Sequence, residues 1–144
     1  MTEKRVICAV ILRDGTVFLA RRAPGQKHAG LWEFPGGKTE SGESDEACLE
    51  REMAEEFGVT GKTGAHLCDS EYAYGDLGLS ILLRAYRFAP EDWTFDRRVH
   101  DETGFFGPGE LDALPLSAAD RPIAERVKTI LLQGENTACE SSSR

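Results

Sequence analysis

Hydrophobic and polar positions follow two different periods along the chain, and the change of period predicts strands that alternate with helices. The β-branched, apolar runs at residues 5–12 and 16–20 are typical of strands, and Asp14-Gly15 between them predicts a hairpin turn. Further strand-like runs lie at 67–74, 79–88 and 105–106. Polar or glycine-rich segments predict loops or turns at 21–30, 35–37 and 89–104.

Two segments have the period of an amphipathic helix and the residues that begin and end one. Residues 45–57 follow Ser44, which can cap a helix, and precede Gly58, which is well placed as the residue after its last turn. Residues 120–133 have apolar positions at helical spacing and Pro122 in the first turn. The alternation of element types predicts an α/β protein.

Composition excludes several classes of protein. The chain has 144 residues, of which 40% are hydrophobic and 29% charged, an ordinary soluble mixture. We expect one domain at 1–133 and a disordered tail at 134–144. Apolar runs fall short of the ~20 residues of a membrane span, and the N-terminus lacks a signal-peptide pattern, so a cytoplasmic protein without membrane contact is expected.

Charge and cysteine spacing narrow the choice of ligands. A net charge of −8 argues against binding to a nucleic-acid backbone, which requires clustered Lys and Arg. The four cysteines lie far apart without a CxxC pair, so they predict neither a zinc site nor a disulfide framework. An acidic protein can still bind phosphates through a metal ion.

The predicted helix at 45–57 concentrates negative charge on one face. Glu52, Glu55 and Glu56 fall within an arc of about 100°, beside an apolar stripe that is expected to face a core. Like-charge pairs at these spacings cost about 0.2–0.5 kcal/mol each, and Arg51 offers local relief. A divalent cation would reverse the sign of this repulsion, so the alternatives are a metal site and a solvated acidic face.

The residues before this helix complete a longer pattern. From Gly37 the chain reads GKTESGESDEACLEREMAEEFGV, in which five residues separate Gly37 from Glu43 and seven more separate Glu43 from Arg51-Glu52. The pattern resembles the Nudix box at every fixed position. The preceding stretch, RRAPGQKHAGLWEFPGGK, is similar to the one before the box in the MutT-like branch of that family. The resemblance is clear over residues 6–59 and patchier to 132.

This resemblance implies a Nudix-type α/β/α sandwich with a mixed β-sheet between helices, and a site for Mg²⁺, with Mn²⁺ as a substitute. The implied metal ligands are the backbone carbonyl of Gly36 and the carboxylates of Glu52, Glu55 and Glu56. The implied catalytic residues are Glu43, Arg51, Glu52 and Glu55. Among them, Glu52 is the candidate to orient or deprotonate the attacking water, Glu43 is a second candidate base, and Arg51 fixes the glutamates through ion pairs.

Candidates for substrate contact lie outside the helix. Arg22 corresponds to a substrate-contacting arginine of MutT-like proteins, with Arg21 a weaker candidate, and Lys38 beside the glycines either touches a phosphate or is solvated. Phe34 and Trp32 are either core aromatics or flat faces that stack on a base, and Phe34 is the favoured pocket residue. Tyr72 is a weaker pocket candidate, more typical of a structural residue.

Two positions blur the family pattern. Asp120 aligns with a base-reading position where bacterial MutT-type enzymes carry asparagine, and its alternative use is as a helix N-cap. An ionised aspartate only accepts hydrogen bonds, whereas a protonated one regains a donor, so the change permits cytosine as well as oxidised guanine. Asp101 and Glu102 are candidates for a further metal-binding acid beyond the box, or for solvent-facing acids.

The resemblance therefore implies hydrolysis of a nucleoside triphosphate to monophosphate and pyrophosphate. Oxidised dGTP (8-oxo-dGTP) is the first expected substrate, in a role that cleanses the nucleotide pool. CTP, dCTP or methylated dCTP is the alternative substrate, and a nucleotide-sensing module without catalysis is the non-enzymatic alternative. The sequence leaves the choice between a monomer and a homodimer open.

Overall fold

The computed structural model describes residues 2–75 and 78–133 of the chain. These described ranges form eight β-strands and three α-helices. The strands are β1 (Thr2–Val10), β2 (Leu12–Arg13), β3 (Thr16–Arg22), β4 (Trp32–Glu33), β5 (Gly36–Lys38), β6 (Gly61–Tyr74), β7 (Leu79–Pro90) and β8 (His100–Phe106). The helices are α1 (Asp45–Phe57), α2 (Pro108–Leu111) and α3 (Arg121–Gln133).

The strands form two sheets. The first has the order β5-β1-β7-β6 and is mixed, because β1 and β7 run parallel while the other neighbours are antiparallel. The second has the order β2-β3-β4, with β8 also paired to β3, and all of its pairs are antiparallel. A strand only two residues long, β4, leads into β5, so the chain passes directly from one sheet to the other there.

Strand β1 accounts for the layering because both of its faces are buried. Ile7 and Ala9 belong to the core that α1 covers, whereas Cys8 and Val10 belong to the core that α3 covers. A strand enclosed on both sides has a continuous apolar sequence, as residues 6–12 do. Helices therefore lie on both sides of a mixed sheet, which confirms the predicted α/β/α fold.

Helix α1 forms at the predicted residues. The Ser44 hydroxyl accepts a hydrogen bond from the Ala47 backbone N–H at 3.1 Å. At the other end Gly58 adopts a φ of 66°, a left-handed conformation that favours glycine and ends the helix. The apolar stripe that includes Leu49 and Met53 is fully buried, so the glutamate face points away from this core.

The predicted hairpin is confirmed at its turn, and the prediction for its first strand is wrong. Asp14 and Gly15 both have positive φ, 51° and 78°, as a two-residue type I′ turn requires. On the N-terminal side of the turn, only β2 pairs with β3. Residues 5–10 of the predicted strand belong to β1 in the other sheet. The prediction missed this break because an apolar run does not show where a strand changes partners.

Other boundaries also differ from the prediction. Residues 36–37 lie in β5 rather than in a turn, and β6 begins at Gly61, well before the predicted 67. The predicted loop at 89–104 contains the start of β8 at His100. These segments are polar or rich in glycine because each belongs to a short or edge strand. The predicted tail, 134–144, lies outside the described residues.

No helix of the described ranges is both long enough and apolar enough to cross a bilayer.

Candidate active site

Arg51 brings together three of the predicted catalytic carboxylates. Its Nε and Nη2 donate to the two carboxylate oxygens of Glu43 at 2.7 and 3.0 Å. Its Nη1 donates to Glu52 at 3.1 Å and to Glu55 at 3.2 Å. Nη2 also donates to the Lys38 carbonyl oxygen at 3.1 Å. A single guanidinium thus ties the loop before α1, the helix itself and strand β5 together.

Glu43 is the most strongly held carboxylate of this group. The bidentate bond from Arg51 lowers the pKa of Glu43 to about 2, and a backbone N–H bond from Glu40 at 2.9 Å acts in the same direction. A carboxylate with so low a pKa is a weak base at neutral pH. The geometry therefore favours Glu43 as the partner of Arg51 over its alternative use as the catalytic base.

Glu56 lies in the opposite environment on the same helix. Burial, together with the charges of Glu52 and Glu33, raises the pKa of Glu56 to about 8. Its Oε1 atom is buried and has no hydrogen-bond partner within the described residues. Burial also raises the pKa of Glu52, against the opposing effect of its bonds to Arg51. A buried carboxylate oxygen without a partner is costly, and a cation would satisfy it.

The chemistry of these side chains fits a hard divalent cation, because all of the donors are carboxylate oxygens. The carboxylates of Glu52 and Glu55, however, accept hydrogen bonds from Arg51, whereas that of Glu56 lies in the separate, partly buried environment described above. Across residues 2–75 and 78–133, no group of three or more His, Cys, Asp or Glu side chains is assembled as a metal site. The predicted metal ligands are therefore neighbours whose carboxylates are not yet gathered around one point.

Two glycines allow β5 to approach its neighbours closely. A Cβ atom at Gly36 would overlap the carbonyl oxygen of Ile7 on β1. A Cβ atom at Gly37 would overlap the carboxylate of Glu52. The absence of a side chain at Gly37 thus leaves space for the Glu52 carboxylate. The absence of one at Gly36 allows β5 to lie against β1.

A cavity of about 390 Å³ opens on the other side of β5. Its volume lies within the usual range for small-molecule sites. Gly36 and Lys38 contribute to its lining, as do Arg22 and Glu33. Its apolar wall is formed by Val6, Cys8, Phe34, Tyr74, Leu79, Ile81 and Leu83. Since β5 is an edge strand, the cavity and the glutamate face of α1 lie around one sheet edge.

Four cationic side chains line this cavity although the protein is acidic overall. They are Lys4, Arg22, Lys27 and Lys38. A concentration of positive charge in a concave site favours an anionic ligand, even in a chain whose net charge is −8. Arg22 is held by its Nε bond to the Lys27 carbonyl oxygen at 3.1 Å and by an ion pair between Nη1 and Glu33 at 3.4 Å. The sequence predicted Arg22 and Lys38 here and missed Lys4 and Lys27.

Asp120 and Phe34 are two buried residues in the lining of the cavity. The backbone N–H of Phe34 donates to Asp120 Oδ2 at 2.7 Å, and both residues are buried. Burial raises the pKa of Asp120 to about 8, and the charge of Glu33 adds to the effect. Its carboxyl therefore keeps a proton at neutral pH and can donate as well as accept a hydrogen bond.

Glu33 and His100 are site residues that the sequence reasoning missed. Glu33 Oε2 accepts from Arg22 and lies 2.9 Å from His100 Nε2. Its charge raises the pKa of both Glu56 and Asp120, so it lies between the two ends of the site. The available signal was one charged residue inside the apolar stretch LWEFP.

Some predicted candidates contact other parts of the molecule. Asp101 and Glu102 both pair with Arg21, at 2.8 and 3.3 Å, so all three form an outer ion-pair cluster. Trp32 is a core aromatic, with its ring edge-on to Phe106 at 5.0 Å. Of the two tyrosines on β6, Tyr74 lines the cavity, whereas Tyr72 is 37% exposed.

The sequence matches the NUDIX domain family over residues 1–127. The chain therefore belongs to the Nudix family, as the pattern around the glutamate helix predicted. This membership agrees with the fold and with the position of the glutamates beside a cavity.

Individual relatives carry more detailed names. A CTP pyrophosphohydrolase of Escherichia coli (strain K12) is 35% identical over 120 residues, covering 83% of this chain and 87% of that protein. An 8-oxo-dGTP diphosphatase of the same strain is 28% identical over 131 residues, covering 89% and 99%. The solution structure of the E. coli ORF135 protein aligns with a TM-score of 0.77 at 33% identity, covering 96% of each chain.

The family and these relatives confirm the predicted class of enzyme. The chain is a hydrolase that acts on phosphoanhydride bonds. Nudix hydrolases use a divalent metal ion and act on small nucleotide substrates. The relatives are named as enzymes, which favours catalysis over the alternative of a binding module.

Proposed function

We propose that the protein is a cytoplasmic, Mg²⁺-dependent pyrophosphohydrolase of nucleoside triphosphates, with Mn²⁺ as a substitute ion and 8-oxo-dGTP as the preferred substrate. The observation that carries the proposal is the cavity at the edge of β5. Its lining contains four cationic side chains and the buried carboxyl of Asp120, and it adjoins the glutamate face of α1. A nucleoside triphosphate has the matching parts, a flat base and a chain of negative charges.

The metal would be held on the α1 side of β5. Its ligands would be the carboxylates of Glu52, Glu55 and Glu56 with the Gly36 carbonyl, and the buried, unpaired Oε1 of Glu56 supports this choice. When bound, Mg²⁺ would neutralise the phosphate charge and lower the pKa of a bound water. Glu52 would orient or deprotonate that water, since its raised pKa suits a base better than that of Glu43.

Arg51 and Glu43 would act on the glutamates rather than on the substrate. The bidentate bond from Arg51 to Glu43 fixes the guanidinium in one orientation. The remaining bonds of Arg51 then fix the side chains of Glu52 and Glu55. In this arrangement the pair stabilises a face that would otherwise carry only repulsive charges.

The phosphates would lie along the cationic lining of the cavity. Arg22 and Lys38 are the main candidates for direct contact, supported by Lys4 and Lys27. Because the Lys38 carbonyl oxygen also accepts a hydrogen bond from Arg51, β5 would connect the phosphate contacts to the catalytic glutamates. This connection would place the phosphoanhydride near the end of α1 when the base fills the cavity.

The base would be read by Asp120 and would pack against Phe34. A protonated Asp120 supplies a donor and an acceptor, as asparagine does, so the aspartate is compatible with oxidised guanine. CTP is the second candidate substrate. The observation that favours it is the 35% identity to a CTP pyrophosphohydrolase, against 28% to an 8-oxo-dGTP diphosphatase.

The test is pyrophosphate release from a panel of nucleotides. Canonical, oxidised and methylated nucleoside triphosphates are assayed with Mg²⁺, with Mn²⁺ and in EDTA, beside a nucleotide sugar and a dinucleoside polyphosphate. We expect metal-dependent release with the highest kcat/KM for 8-oxo-dGTP. The highest value for CTP or its deoxy forms would select the second candidate, and absence of release from every triphosphate would overturn the proposal.

A further inference from the structure

His100 is a buried imidazole placed between the end of the glutamate helix and the cavity. Its side chain is 0% exposed. The ring stacks on Phe57, the last residue of α1, with centroids 5.1 Å apart and an angle of 16° between the planes. On its other side Nε2 lies 2.9 Å from Glu33 Oε2. A carboxylate oxygen accepts hydrogen bonds, so the imidazole tautomer that fits this contact has its proton on Nε2, which donates the hydrogen bond to Glu33.

The bond from His100 continues to the arginine that lines the cavity. The same Glu33 oxygen, Oε2, accepts from Arg22 Nη1 at 3.4 Å, and Arg22 Nε donates to the Lys27 carbonyl oxygen at 3.1 Å. Two contacts therefore fix the direction of the guanidinium. One of them depends on Glu33, whose orientation in turn depends on His100.

Packing alone does not explain an imidazole at this position. His100 Nδ1 is buried without a hydrogen-bond partner among the described residues, and such an atom is costly. A phenylalanine would fill similar space and stack on Phe57 without that cost. What the imidazole supplies and a phenyl ring cannot is the donor to Glu33.

We propose that His100 is a positioning residue that, through Glu33, holds Arg22 in the orientation in which it binds the substrate phosphates. The inference rests on the proposed function, because it takes Arg22 as a phosphate contact. It assigns a role in substrate binding to a side chain that does not line the cavity. It also links the last turn of α1 to the cationic wall through the stack of His100 on Phe57.

The experiment compares His100→Phe, which keeps the stack and loses the donor, with His100→Gln, which keeps an N–H donor and loses the aromatic ring. For the triphosphate that the wild type hydrolyses best, we expect His100→Phe to raise KM about tenfold, the effect of one lost bond to a charged group. Its kcat should stay within about twofold, and His100→Gln should recover most of the KM.

A double-mutant cycle with Arg22→Ala separates this role from a general structural one. If His100 acts through Arg22, adding His100→Phe to Arg22→Ala should change KM by less than about twofold. If the two effects multiply, or if His100→Phe lowers kcat and leaves KM unchanged, the proposal is wrong. Should His100→Phe fail to fold, Glu33→Gln replaces it in the same cycle, with the same expectation. Absence of hydrolysis by the wild type would instead refute the proposed function.

Discussion

Two glutamates at opposite ends of α1 differ in acidity by several orders of magnitude. Glu43, just before α1, has a pKa lowered to about 2, and Glu56, in its last turn, has a pKa raised to about 8. The side chains are identical, so the difference comes from their surroundings. Glu43 receives two bonds from Arg51 and one from a backbone N–H, whereas Glu56 is buried beside other carboxylates.

The comparison shows where the folded chain has satisfied its own charges and where it has not. At Glu43 the protein supplies the counter-ion, so this end of the site is complete without a ligand. At Glu56 it supplies burial and repulsion, and residues 2–75 and 78–133 provide no hydrogen-bond partner for one carboxylate oxygen. A residue whose charge is penalised in this way is a candidate for function, because a ligand can remove the penalty.

The largest effect is expected at the unsatisfied end. If Glu56 is the metal ligand that we propose, Glu56→Gln should lower kcat by about a hundredfold or more, because the ion would contribute several kcal/mol to catalysis. In metal-free buffer at pH 8, the melting temperature should rise, since glutamine resembles the protonated form that burial favours. Steady-state kinetics and thermal unfolding with and without Mg²⁺ measure both effects.

Glu46→Gln is the matched control, because Glu46 is an exposed glutamate in the first turn of the same helix. It should retain the activity of the wild type and its stabilisation by Mg²⁺. A Glu56→Gln protein that was still active and still stabilised by Mg²⁺ would show that Glu56 is not a metal ligand.

A smaller effect is expected at the satisfied end. Glu43→Gln should lower kcat about tenfold, since one charge-assisted bidentate pair is lost while Arg51 keeps its bonds to Glu52, Glu55 and the Lys38 carbonyl. Binding of Mg²⁺, measured by calorimetry, should weaken less than in Glu56→Gln. A loss of kcat as large as that of Glu56→Gln would return Glu43 to the position of catalytic base.

A separate effect, on stability rather than on turnover, is expected at Asp120, a buried carboxyl that accepts one hydrogen bond, from the Phe34 N–H, among the described residues. Its pKa is raised from 3.8 to about 8, so the folded state holds a proton that the unfolded state has lost across that window. The stability from this group is present below pH 3.8 and is lost as pH rises, by up to about 1.4 kcal/mol per pH unit until pH 8.

Asp120→Asn should remove this slope, because asparagine keeps an acceptor for the Phe34 N–H and has no proton to lose. The measurement is the free energy of unfolding in urea for both proteins at pH 5, 6.5 and 8. We expect the variant to gain on the wild type at each step. Parallel pH dependences would mean that Asp120 is ionised in the folded protein.

The local signals of the sequence located α1 and its charged face well. Ser44 and Gly58 mark the ends of the helix by chemistry that acts within one turn, and 3.6-residue periodicity places the glutamates on one side. The resemblance to the Nudix box then covered the loop, the helix and the glycines. These predictions succeeded because neighbours in sequence determine them.

The missed features depend on contacts between distant segments. Lys4 and Lys27 read as ordinary surface lysines until β1 and the loop after β3 meet at one cavity. The bond between His100 and Glu33 joins residues that are 67 positions apart, and the part of β8 that contains His100 was predicted as a loop. The sequence pattern also did not predict the break between β1 and β2, since the apolar run continues across the point where the strand changes partners.

Gly37 shows how a position without a side chain can restrict substitution through space alone. Its place is in an ordinary strand, yet a single methyl group there would collide with the carboxylate of Glu52. Any replacement must therefore push aside the carboxylate that we propose as the base, although Gly37 itself has no side chain that could bond or titrate. In a collection of random variants selected for activity, this position would tolerate as little change as the glutamates, for reasons of volume rather than of chemistry.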